Sequence, residues 1–196
     1  MPLRYGDLLS TLNQSMDGKV LPVIRLLKAW RDENMTYKKP KSYWLEILTY
    51  DAFNEQAVHP DDSYPVILAD LFTYISERLS SVADGAFPVI IDPAMKTPLE
   101  ADWSIDYWES FYSKIVFAKE MATNAINVEG LDDQKAQWKK LFGSLWPSDD
   151  AVSNSLNMKD SVLAGTAVIS SSGSLFASAT KTQNPIPVKP VRAYGE

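Results

Sequence analysis

The chain has 196 residues, 45% of them hydrophobic, which is enough for one domain with a real core, or for one domain and a tail. A formal net charge of -6 argues against a protein that grips a long nucleic acid by its phosphates, because that takes a broad basic surface; a small basic pocket is still open to it. With no cysteine and a single histidine, His59, the chain can build no disulfide, thiolate metal site or histidine cluster. His59 precedes Pro60-Asp61-Asp62 and is expected in an exposed loop.

The longest apolar run, Val162 to Ile169, falls far short of the roughly 20 residues a membrane span needs and is broken by Gly165. The N-terminal residues Met1 to Asp7 show no charged-then-apolar leader layout, which makes a cytoplasmic location the default expectation.

Apolar residues Leu8, Leu9 and Leu12, then Val20, Val23, Ile24, Leu27 and Trp30, follow helical spacing with a break near Asp17-Gly18. This predicts a short helix and then a strong one, with Pro22 in the first turn of the second. Arg25, Lys28 and Asp32 fall together on the flank of its apolar stripe. A lysine-rich loop, Tyr37-Lys38-Lys39-Pro40-Lys41, leads to a helix from Ser42 to Phe53, with Ser42 expected as its N-cap. A further helix is expected from about Pro65 to Ser81, and an extended stretch from Phe87 to Pro93. Two more helices are expected, from about Trp103 to Val128 and from Asp132 to Leu145.

The fold class predicted is mainly α, a helical bundle over residues 5–147. Residues 148–196 turn to Ser, Ala, Thr, Asn and Lys and close on Pro185, Pro187 and Pro190, the composition of a flexible tail whose apolar groups cannot offset ordering entropy. No internal repeat is visible.

Two segments carry the chemistry: Val23-Ile24-Arg25-Leu26-Leu27-Lys28-Ala29-Trp30 and Lys41-Ser42-Tyr43-Trp44-Leu45-Glu46. The pair resembles two nucleotide-facing helices of nucleotidyltransferases related to oligoadenylate synthetases and to bacterial cyclic-oligonucleotide synthases, the CD-NTase type. Ile91-Asp92-Pro93 and Trp138-Lys139-Lys140-Leu141-Phe142-Gly143 resemble the closing part of the bacterial antiphage synthases, so the resemblance covers roughly residues 5 to 147.

The resemblance implies the helical C-terminal lobe of an enzyme that joins nucleoside triphosphates into a cyclic or linear oligonucleotide messenger, with Lys28, Ser42 and Tyr43 holding the nucleotide. The residue types suit that work. A lysine offers a compact cation with three donors to a triphosphate, a hydroxyl at a helix N-terminus meets phosphate oxygens beside free N-H groups, and a tyrosine ring can stack on a base. Each also has a plainer reading: Lys28 as a solvated residue paired with Asp32 one turn on, Ser42 as a cap, Tyr43 as a core or rim aromatic. Arg25 and Glu46 read as structural, paired with each other or with the N-terminal half. The lysine loop Lys38-Lys39-Pro40-Lys41 is by default a solvated charge run, with assistance to phosphate binding as the alternative.

Nucleotidyl transfer needs divalent metal, here Mg, held by carboxylates that usually follow a Gly-Ser turn. Asp61-Asp62, Asp132-Asp133 and Asp149-Asp150 lack that context, and none is assigned to metal. The expectation is that the metal is held by a catalytic lobe absent from this chain, which would then be inactive alone. The chain is accordingly expected to be a fragment, half of a split enzyme, or a degenerate relative. The rival reading is a non-catalytic helical module that binds a partner protein through its aromatic-rich surface. The ending Arg192-Ala193-Tyr194-Gly195-Glu196 resembles a tail modified by the ubiquitin-transfer-like enzymes of some bacterial antiphage operons, against the plainer reading of an inert solubilising tail.

Overall fold

The computed structural model describes residues 4–99 and 102–147, together with residues 160, 161, 163, 164, 166, 168, 169, 175, 176, 186 and 187. Contacts divide the chain into two units, Met1–Trp146 and Pro147–Glu196. In the first unit, the described residues form helices α1 (Tyr5–Ser15), α2 (Val20–Asn34), α3 (Ser42–Asn54), α4 (Tyr64–Arg78), α5 (Ile105–Asn127) and α6 (Leu131–Phe142). Short 3-10 turns follow α4 at Ser80–Asp84 and α6 at Gly143–Leu145. The mainly helical fold is the one the periodicity predicts.

The break between α1 and α2 has a backbone cause: Asp17 and Gly18 both take positive φ, at 50° and 75°. Beyond it, Val20, Val23, Ile24, Leu27 and Trp30 form the buried stripe of α2. The matching stripe of α5 is Trp108, Phe111, Ile115, Ala118, Ala122 and Ala125. Helix α5 packs most extensively on α4 and then on α6, while α2 lies on α3.

An aromatic cluster ties α3 to the start of α5. Trp44 stacks on Trp108 at 5.1 Å with ring planes 16° apart, and Trp103 meets both edge-on at 5.0 Å. The helix expected to run through Ser81 instead ends at Arg78 and tightens into the 3-10 turn that closes at Gly85, in left-handed backbone at φ 72°. Between that turn and α5, Ile91 bridges Pro98 in antiparallel fashion, which makes the expected extended stretch one arm of a tight return.

Gly143 ends α6 at φ 48° and ψ -120°, a conformation that a side chain rarely takes. A Cβ there would also lie 2.1 Å from Glu33 Oε1, on a carboxylate held by the N-H and hydroxyl of Ser144 at 2.9 and 2.7 Å. Gly143→Ala is therefore expected to cost about 1–3 kcal/mol in chemical denaturation. An unchanged midpoint would show that the turn has another accessible conformation.

The second unit spans all of the expected tail, 148–196, and much of it lies outside the described residues. Among those described, strand β1 (Val168–Ile169) pairs antiparallel with both β2 (Leu175–Phe176) and β3 (Ile186–Pro187), in the order β2-β1-β3. Pro187 sits on an edge strand, where its missing donor is tolerated. Among the described residues no helix is long and apolar enough to cross a membrane.

Candidate functional site

Helices α2 and α3 meet antiparallel, as two contacts along them show. Lys28 Nζ reaches Glu46 Oε1 at 2.5 Å, and one turn further along α2, Arg31 reaches back to the start of α3. There its guanidinium donates to the Ser42 hydroxyl at 3.1 Å and to the Pro40 carbonyl at 3.0 Å, while also pairing with Asp32. Lys28, Arg31 and Ser42 thus border one stretch of the α2–α3 seam. Their side chains are neither sealed nor wholly exposed at the two cations, with Lys28 29% and Arg31 11% accessible.

Several plainer sequence readings need correction. Asp32 is the partner of Arg31 and Lys39, at 3.0 and 3.1 Å, and Lys28 pairs with Glu46 instead. The reason is that α3 brings a carboxylate directly over Lys28, while Asp32 lies on the side facing the lysine loop. Glu46 is accordingly not the partner of Arg25, which is exposed. Ser42 is the first helical residue, not the N-cap; Lys41 occupies that position and makes no side-chain cap.

The lysine loop is also more engaged than a solvated run. Lys39 pairs with Asp32, Lys38 Nζ lies 5.3 Å from the centre of the Tyr107 ring, and Lys41 Nζ lies 5.7 Å from that of Trp44. His59 is exposed, as expected.

Tyr43 is fixed at both ends. Its hydroxyl donates to Asp92 Oδ2 at 2.6 Å, and its ring meets that of Tyr5 edge-on at 4.9 Å. The other Asp92 oxygen accepts the N-H groups of Ala94 and Met95, at 2.8 and 2.9 Å. Burial, together with the hydrogen bond and charge of Asp92, pushes the Tyr43 phenol up to about 12. For Asp92 itself, burial would raise the carboxyl, but the bonds from Tyr43, Met95 and Ala94, with Lys96 nearby, outweigh it and hold the group below its ordinary range.

Sequence reasoning did not single out Arg31 or the tie from Tyr43 to Asp92. Arg31 could have been found from its place one turn beyond Lys28 on the same flank. The partnership with Asp92 had no local signal, because 49 residues separate the pair.

No group of three or more His, Asp or Glu side chains able to hold a metal ion is present among the described residues. Asp149 and Asp150 lie outside them.

No family model matches the chain. The chain is nonetheless similar to curated synthases of cyclic oligonucleotides. One such relative is a cyclic AMP-AMP-AMP synthase of Acinetobacter sp., 27% identical over 157 residues, which are 78% of this chain and 45% of that protein. Another is a cyclic AMP-AMP-GMP synthase of Enterobacter hormaechei subsp. hoffmannii, 28% identical over 138 residues, 69% of this chain and 35% of that protein. The chain therefore spans less than half the length of either relative.

Proposed function

We propose that the chain is the helical, nucleotide-holding lobe of a cytoplasmic synthase that joins nucleoside triphosphates into a cyclic or linear oligonucleotide messenger in antiphage defence. The observation that carries this is the similarity to two synthases over most of the chain. The α2–α3 seam supports it with suitable donors.

Because the Ser42 oxygen accepts from Arg31, its own proton is left to donate to a phosphate oxygen. Lys28 has three donors, so it can keep Glu46 and still offer two to a triphosphate. Glu46 thereby aims Lys28 without consuming it. Tyr43, held by Asp92 and Tyr5, serves as a fixed ring for the base.

The chain's part in this scheme is to bind and orient. The Mg that nucleotidyl transfer uses finds no holder among the described residues and belongs, on this reading, to a further lobe; the chain alone forms no product.

The test is an ATP titration of the isotopically labelled full chain, followed through backbone amide shifts. ATP is expected to move the amides of Lys28, Ser42 and Tyr43. Lys28→Ala should weaken that binding by about tenfold, the scale of one lost hydrogen bond to a charged group. Absence of shifts in this seam, or an affinity read at the Ser42 and Tyr43 amides that is unchanged in Lys28→Ala, would overturn the reading.

A further inference from the structure

An open recess of about 500 Å³ lies between the end of α2 with its following loop and the first turns of α5. Tyr37, Asp106, Tyr107, Ser110 and Lys114 line it, with Thr36 at its edge. We propose that this recess is a second binding site, distinct from the α2–α3 seam, and that it takes a nucleoside polyphosphate. The inference stands apart from the function proposed above, since it uses none of Lys28, Ser42 or Tyr43.

Four features point to that ligand. Tyr37 is 72% exposed on the recess, a large aromatic ring open to water there. Its plane is 64° from that of Tyr107 at 6.2 Å, so the two rings do not stack on each other and Tyr37 keeps a broad face for a flat base.

Lys38 adopts φ 48°, a left-handed conformation uncommon for a residue with a side chain, and its ammonium lies over Tyr107. Backbone held in that region costs free energy and tends to mark ligand clamps. Here it sets Tyr107 as a fixed wall backed by a cation.

The third feature is polarity. Asp106 and Lys114 make no ion pair among the described residues, although both line the same recess. They stand two turns apart on α5, about 12 Å along its axis, with Ser110 midway. That is the length of a nucleoside carrying phosphates. A carboxylate at one end accepts from the exocyclic amine of a base, the serine hydroxyl meets the sugar, and the ammonium at the other end meets phosphate.

Size is the fourth. The recess falls within the range of small-molecule sites and is too small for a folded partner.

The experiment uses the labelled full chain with three probes: ATP, adenosine and inorganic tripolyphosphate. ATP should shift the amides of Tyr37, Tyr107, Ser110 and Lys114, in wild type and equally in Lys28→Ala. Tyr37→Ala and Lys114→Glu, both exposed positions, should each weaken this binding by about tenfold with the melting temperature unchanged. Adenosine and tripolyphosphate should each bind more weakly than ATP.

The proposal is overturned if these amides do not respond, if their response disappears in Lys28→Ala, if tripolyphosphate binds as tightly as ATP, or if both recess variants bind ATP as wild type does. Loss of the seam response with the recess response intact would instead count against the seam alone.

Discussion

Trp44→Ala is expected to lower the unfolding free energy by about 3–5 kcal/mol, the range for removing a large buried aromatic. Trp44 is 2% exposed, stacks on Trp108 and receives the edge of Trp103, so its loss opens a cavity where α3 meets α5. The neighbours cannot close it cheaply, because Trp108 and Phe111 are themselves fixed in the core on the stripe of α5.

The contrasting change is Trp108→Phe. The Trp108 indole N-H is buried and meets no hydrogen-bond partner among the described residues, so removing it relieves a desolvated donor even as some contact area is lost. That variant should cost clearly less than Trp44→Ala in the same urea melts. If both cost the same, the aromatic cluster is looser than its geometry implies.

How much of this could be read from the chain divides along sequence distance. The helices were legible because their stripes repeat locally: α2 shows Val20, Val23, Ile24, Leu27 and Trp30, all of them buried. Helix ends were less so. Ser42 has the chemistry of a cap, but Arg31 from another helix takes its oxygen, and the cap position falls one residue earlier.

For the candidate site, residue type was legible and partnership was not. Nothing near Lys28 in sequence distinguishes Asp32, four residues on, from Glu46, which only the antiparallel packing of α3 delivers. The same limit applied to the lysine loop. Its composition gave charge, whereas the partners of Lys38 and Lys39, namely Tyr107 and Asp32, depend on how the loop folds back.

Asp92→Ala is expected to cost about 3 kcal/mol at neutral pH, because three donors converge on this carboxylate. The residue is 5% exposed, so water cannot fully replace what is lost. Ala94 and Met95 would lose their acceptor, and the Tyr43 phenol would be left half-buried without one. The main chain of Asp92 also receives the Lys96 N-H and donates its own N-H to the Thr97 carbonyl; alanine keeps both bonds, so the return that carries Pro98 to Ile91 should persist.

Acid dependence separates this role from simple packing. The Asp92 carboxyl sits below its ordinary value of 3.8 in the folded chain, so its ionised form is favoured there over the unfolded state. Its contribution is present above that ordinary value and is lost as pH falls through the depressed folded one. Wild type should therefore lose more stability between about pH 4.5 and about pH 2.5 than Asp92→Asn, which keeps an acceptor but cannot titrate. Tyr43→Phe should fall between them, since it removes one of the three bonds that hold the carboxyl down while leaving the two backbone donors. Denaturant melts at a series of pH values decide the matter. If the acid limbs of wild type and Asp92→Asn coincide, Asp92 does not anchor Tyr43 through its charge, and the fixed ring that the proposed nucleotide site relies on needs another support.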